Sequence, residues 1–184
     1  MSASEIERII HSRISAMTID RGAPVDEEII VRLTHAAQAA PNHRKTRPLR
    51  IAVLQDNARA AFGEAVADTM QNNGDDAAKI EKTRTKYLRA PVVMVVASAQ
   101  GASELETTEN TFAVAAGIQN MLLLIESLGM TALWSTPAKG TQHTMTRFCG
   151  FDPTDQVIGI IYLGWGTREP VARERPEPVV KWLR

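Results

Sequence analysis

Four short stretches carry side chains able to hold or tune a polar ligand, and they are scattered along the chain. Arg13 and Ser15 flank Ile14. His43, Arg44, Lys45 and Arg47 crowd into one segment bounded by Pro41 and Pro48. Trp134, Ser135 and Thr136 close an apolar run, and Arg173 and Arg175 lie two apart near the C-terminus. Arginine and serine together suit a phosphate, because a guanidinium fork and a hydroxyl both donate to its oxygens, the former with charge assistance. A backbone turn after a buried strand can offer N–H groups to a ring system. A basic cluster as short as 43–47 is usually an ordinary solvated loop, although loops also carry binding residues out of proportion to their length.

Other chemistries lack their residues. The four histidines, His11, His35, His43 and His143, have no metal-ligand spacing, and Cys149 is the single cysteine. No bound metal is therefore expected, and Cys149 reads as a small space-filling hydrophobe. There is no Gly-x-Ser-x-Gly elbow for a serine nucleophile. There is also no Gly-x-Gly-x-x-Gly or phosphate-binding Gly-x-x-x-x-Gly-Lys loop, which argues against a dinucleotide-binding or P-loop fold. No side chain is singled out as a catalytic acid, base or nucleophile.

The elements that must position these residues follow from length and pattern. At 184 residues the chain suits one domain, 1–184. Its 21 basic and 21 acidic residues balance, so nothing asks for nucleic acid or an acidic membrane surface. One cysteine excludes an internal disulfide and suits a reducing compartment. The N-terminal stretch has no apolar segment of signal-peptide length, so a cytoplasmic location is expected.

Ser4 and Glu7 have the spacing of a capping box opening a helix over 4–12. A second helix is expected after Asp26, carried by Ile29, Ile30, Leu33, Ala36, Ala37 and Ala40. Leu49–Leu54 reads as a strand, and Asn57 opens a helix reaching Met70. Asn72–Asp76 is a polar loop expected to be mobile, before a short charged helix over 77–87. Val92–Ala97 is an unbroken run that suits a strand buried on both faces. Met130–Trp134 and Val157–Leu163 complete the strands, with a short helix over 141–149 between them. The Pro-rich 168–178 segment should be extended. Val179, Val180, Trp182 and Leu183 then need something to pack on, either the chain's own core or a partner.

Between the second and third of these strands runs a helix expected over Glu109–Leu128. Phe112, Val114, Ile118, Met121, Leu122, Leu123, Leu124, Ile125 and Leu128 cannot share one stripe, so the helix should be buried nearly all round. Gln119, Asn120 and Glu126 interrupt it too often for a membrane span. Ala113, Ala115, Ala116 and Gly117 let another backbone come close. Its cover is either the rest of a monomer or a second chain, since an obligate dimer interface resembles a domain core cut in half.

Order and spacing of these landmarks together resemble the flavin-dependent nitroreductase family over essentially the whole chain, closest in length and layout to its short bacterial members. The family's Arg-Arg-Ser after a first helix is matched by Arg13-Ile14-Ser15. Its Ala-Pro loop ending in Gln-Pro is matched by Ala40-Pro41-Asn42-His43 through Arg47-Pro48. The Pro91–Ala97 strand, the long helix Gly117–Gly129, the Trp134-Ser135-Thr136 turn and Leu163-Gly164 follow in the family's order. The resemblance implies an α+β nitroreductase-like fold, a mostly antiparallel sheet flanked by helices, and an obligate homodimer with the long helix at its core. It implies FMN bound at the subunit interface, NAD(P)H as donor, and a nitroaromatic, quinone or similar small molecule as acceptor. The two half-reactions would alternate, with hydride entering and leaving at flavin N5. Arg13, Ile14 and Ser15 inherit the phosphate site, joined by Arg173 or Arg175. His43 and Arg47 match positions at the flavin ring and ribityl chain, and Trp134, Ser135 and Thr136 match the turn beside the ring's reactive nitrogen.

Two departures from the family pattern stand out. Ile14 replaces the middle arginine and removes one positive charge near the phosphate. Arg47 replaces glutamine, and a guanidinium at the pyrimidine edge would favour the reduced, anionic ring. Two other outcomes fit the same frame. One is a flavin enzyme of different reaction, such as a specialised dehydrogenase or reductive dehalogenase, since members differ in the loops above the ring. The lid here, around Asn72–Tyr87, is short, which predicts an open and permissive site. The other is a dimeric binding module that has lost FMN, favoured by Ile14 and opposed by Arg13, Ser15, Arg173 and Arg175 together.

Overall fold

The computed structural model describes residues 2–16, 18–167 and 174–184. Its strands are β1 (Leu49–Leu54), β2 (Val92–Ser98), β3 (Thr131–Ser135) and β4 (Gln156–Gly164), and its helices are α1 (Ala3–Ser12), α2 (Glu27–Gln38), α3 (Asp56–Asn72), α4 (Ala77–Lys86), α5 (Glu104–Ser127) and α6 (Gln142–Phe148). The four strands form one antiparallel sheet in the order β1-β2-β4-β3. The apolar run of β2 is buried at every position because helices cover both faces. Val93, Val95 and Ala97 face one cluster with Phe62, Val66 and Tyr87. Val92, Met94 and Val96 face the other, with Leu33, Val114, Ile118 and Met121. The period-2 alternation of a strand thus builds the two core layers from one hydrophobic run.

The ends of several helices differ from expectation, and capping chemistry explains why. Ser2, not Ser4, caps α1, its hydroxyl accepting from Glu5 N–H at 3.3 Å. Helix α5 begins at Glu104, ahead of its apolar stretch. Ser103 accepts from Glu106 N–H at 3.2 Å while Glu106 accepts from Ala102 N–H at 3.2 Å. A reciprocal cap of this kind starts a helix without help from hydrophobic spacing. Asn72–Asp76 is a tight C-terminal turn, with Gly74 at φ 75° and Asp75 N–H bonded to Met70 C=O at 3.0 Å.

Two burial expectations that allowed either the chain's own core or a partner are narrowed. Helix α5 is not covered all round within the chain. Val114, Ile118, Met121 and Ile125 are buried, but Phe112 on the opposite stripe is 67% exposed. Ala116 and Gln119 on that stripe are exposed too, and Leu123 is half-buried. The tail does not pack on its own core, since Trp182 is 80% and Leu183 94% exposed.

The close approach expected at the small residues of α5 is present. A Cβ at Gly117 would lie 2.7 Å from the carbonyl oxygen of Ala37 on α2. Gly117→Val should therefore destabilise the chain by at least about 2 kcal/mol through overpacking, read as a lower midpoint in urea unfolding.

Candidate functional site

The first cluster of candidate residues sits on the outer edge of β3. Where α1 ends, Arg13 leaves the helix, with its N–H still bonded to Ile9 C=O at 3.1 Å. Ser15 then bridges Ala132 in the parallel sense, and Ala16 N–H donates to Ala132 C=O at 3.2 Å. The 14–16 segment thus runs beside β3, whose far end leads into Ser135 and Thr136. Arg175 reaches the same place from the tail. Its Nη1 donates to Ile10 C=O at 3.3 Å and its Nη2 to Arg13 C=O at 2.9 Å. These are carbonyls left open at a helix C-terminus, where a cation is favoured. Arg175 therefore steadies the backbone of Arg13. The Arg13 guanidinium is half-buried and has no hydrogen-bond or ion-pair partner among the described residues. Ser15 is exposed and Ile14 half-buried beside it. Arg173 lies outside the described residues.

Trp134 has a structural job as well. Its indole lies over Gly159, where any Cβ would collide with the ring. Gly159 is next to a bulge in β4, since Val96 pairs with Gly159 but Ala97 pairs with Val157. The ring packs against the cluster that contains α5. Ser135 and Thr136, at the strand's end, are half-buried and exposed respectively.

The second cluster lies at the opposite edge, in the loop before β1. His43–Lys45 form one tight turn. Arg44, Lys45 and Arg47 have φ of 56°, 55° and 53°, in the left-handed region. Each such non-glycine residue costs about 1–2 kcal/mol, so the loop needs bracing. Part of that bracing comes from α5, where Glu109 lies 3.5 Å from His43 Nδ1 and Glu106 lies 4.0 Å from Arg44. The Arg47 and Lys45 side chains have no partner among the described residues.

The two clusters do not meet within one chain. Strands β1 and β3 are separated by β2 and β4, about 14 Å at ordinary strand spacing. The stretch expected to be a lid is fixed in place. Helix α4 buries Ile80 and Thr83, and Arg84 ties it to Glu64 and Asp68 of α3 and to its own Glu81. Burial pushes the Cys149 thiol up to about 12, which leaves it protonated and a poor nucleophile at neutral pH. Among the described residues no cluster of His, Cys, Asp or Glu could hold a metal ion, and no helix is long and apolar enough to cross a membrane.

Sequence reasoning overlooked three polar residues. Asn42 accepts from Arg47 N–H at 2.8 Å and donates to Thr46 at 3.0 Å. Thr46 donates to Asn110 at 2.6 Å, and Asn110 donates to Ala99 C=O at 3.1 Å. A polar residue on the apolar face of the long helix was the one available signal, and Asn110 is 2% exposed.

Comparison with known proteins bears on this frame. The nitroreductase family model matches residues 21–165. That span holds the 42–47 loop, α5 and the Trp134–Thr136 turn, and leaves Arg13, Ile14, Ser15, Arg173 and Arg175 outside it. YdjA of Escherichia coli (strain K12), provisionally assigned as an NAD(P)H nitroreductase, is 24% identical over 160 residues, covering 86% of each chain. The nitroreductase-like family protein from Bacillus cereus superposes with a TM-score of 0.84 at 21% identity, covering 96% of this chain and 94% of that one. A nitroreductase with bound FMN from Bacteroides fragilis superposes with a TM-score of 0.77 at 18% identity, covering 98% and 99%.

Proposed function

Because the chain belongs to the nitroreductase family, we propose that it is a flavin-dependent reductase that binds FMN between two copies of itself. In this reading NAD(P)H is the donor and a nitroaromatic, a quinone or a similar small molecule is the acceptor. One observation carries it. The residues suited to a phosphate and the 42–47 loop suited to a ring edge lie on opposite edges of one sheet, which supports a ligand shared with a second chain. The outer stripe of α5 and the exposed apolar tail supply the surface for that chain, and a two-fold pairing would place each loop against the other copy's β3 edge.

The residues present fit the cofactor's parts. Arg13 is half-buried, and its guanidinium has no partner among the described residues, the donor that a phosphate dianion needs. The Ser15 hydroxyl stands on the same edge, and Arg175 holds the Arg13 backbone in place. Thr136, just past the paired end of β3, offers a backbone N–H group. FMN, when bound, supplies the two-electron chemistry that links a nicotinamide donor to the acceptor. The chain's part is to bind, orient and tune it.

Arg47 is the tuning residue. Its side chain is exposed and has no partner among the described residues. A cation near the ring's pyrimidine edge stabilises the charge that reduction places there. Arg47→Gln should lower the flavin midpoint potential by roughly 30–60 mV, the equivalent of one charged hydrogen bond for a two-electron couple. Dye-equilibrated reductive titration reads the shift, and an unchanged potential would remove Arg47 from this role. The function as a whole is tested by adding NAD(P)H to the FMN-loaded protein with and without a nitroaromatic. Bleaching of the flavin band followed by its recovery on addition of acceptor is the expected result.

A further inference from the structure

The hydrogen-bond chain from the 42–47 loop into α5 has no part in the cofactor contacts named above. We propose that Asn42, Thr46 and Asn110 are positioning residues, a clamp that sets where the loop presents Arg47 to the flavin. The proposal rests on the flavin reading above.

Each link runs in one direction. Asn42 Nδ2 donates to Thr46 Oγ1 at 3.0 Å, Thr46 Oγ1 donates to Asn110 Oδ1 at 2.6 Å, and Asn110 Nδ2 donates to Ala99 C=O at 3.1 Å. The other end of the loop is tied to the same residue, since Ala99 N–H donates to Pro48 C=O at 2.8 Å. Asn42 also accepts from the Arg47 N–H at 2.8 Å, so the clamp holds that peptide directly. Asn110 is buried on the face of α5 that anchors the core, which makes it a fixed point. Left-handed φ at Arg44, Lys45 and Arg47 is a conformation these residues leave when unbraced. Glu106 and Glu109 hold Arg44 and His43 back toward α5, which leaves Lys45 and Arg47 as the cations that the loop projects, and of these two it is the Arg47 peptide that the clamp bonds.

Thr46→Val removes the central hydroxyl at nearly constant volume, and Thr46→Ser keeps it. Two readouts are needed. The first requires no flavin and follows trypsin cleavage after Arg44 and Lys45 in the folded protein. Loss of one hydrogen bond predicts cleavage about threefold to tenfold faster in Thr46→Val, with Thr46→Ser close to wild type. The second is the FMN dissociation constant in a double-mutant cycle with Arg47→Gln. Thr46→Val should weaken FMN binding severalfold in the wild-type background and have little effect once Arg47 is gone. Unchanged cleavage, or an equal loss of FMN binding in both backgrounds, overturns the proposal. A wild-type chain that takes up no FMN overturns the flavin reading and with it the purpose assigned to the clamp. The cleavage comparison then still shows separately whether the clamp holds the loop.

Discussion

Replacing Arg13 with Ala should weaken FMN binding by about one to two orders of magnitude. A hydrogen bond to a charged group contributes about 1.5–3 kcal/mol, and among the described residues no other arginine of this cluster has a free guanidinium. Arg175 is already committed to Ile10 and Arg13 carbonyls, and the family's second arginine is here Ile14. The effect should therefore be larger than in a site with redundant cations. It should also shrink as salt rises, because screening weakens the wild-type contact. FMN titration followed by flavin fluorescence reads the change, and circular dichroism checks that α1 is intact. Binding as tight as wild type would take the phosphate away from Arg13.

The second large effect lies on the outer stripe of α5. Phe112→Asp should dissociate the proposed dimer and abolish FMN retention. Burying a phenylalanine is worth about 1.5–3 kcal/mol, and in a two-fold interface each substitution counts twice. The dimerisation constant should fall by about two to four orders of magnitude from lost burial alone. Fold should survive, because Phe112 is 67% exposed in the single chain and contributes to neither core cluster. Light scattering coupled to gel filtration should show a monomer with native far-ultraviolet dichroism. A Phe112→Asp protein that remains dimeric and yellow would place the interface elsewhere.

What the sequence made legible was whatever a local pattern specifies. β1 was readable to the residue because its run is bounded by a proline-containing loop and a helix start. β2 was readable because the apolar run Val92–Ala97 leaves no other pattern, and only its last residue, Ser98, lay outside that run. The start of α5 was not readable, because its first turn is polar apart from an exposed Leu105 and is held by a cap rather than by burial. The split of the candidate site was also hidden. Chain order gives no warning that β4 inserts between β2 and β3, and that insertion sends the 42–47 loop and the Arg13 edge to opposite sides. The clamp was invisible for a related reason. Thr46 and Asn110 meet across 64 positions of sequence, and no periodicity encodes such a contact. Trp134 shows the converse, a residue picked out as ligand-facing that also fills the space over Gly159.

The central claim, FMN held between two copies of this chain, is tested most directly by sedimentation velocity followed at the visible absorption of the flavin. Protein supplied with FMN should show the visible boundary moving only with the dimer, while any monomer sediments without colour. Colour that travels with monomer, or that stays unbound while protein sediments, would contradict it.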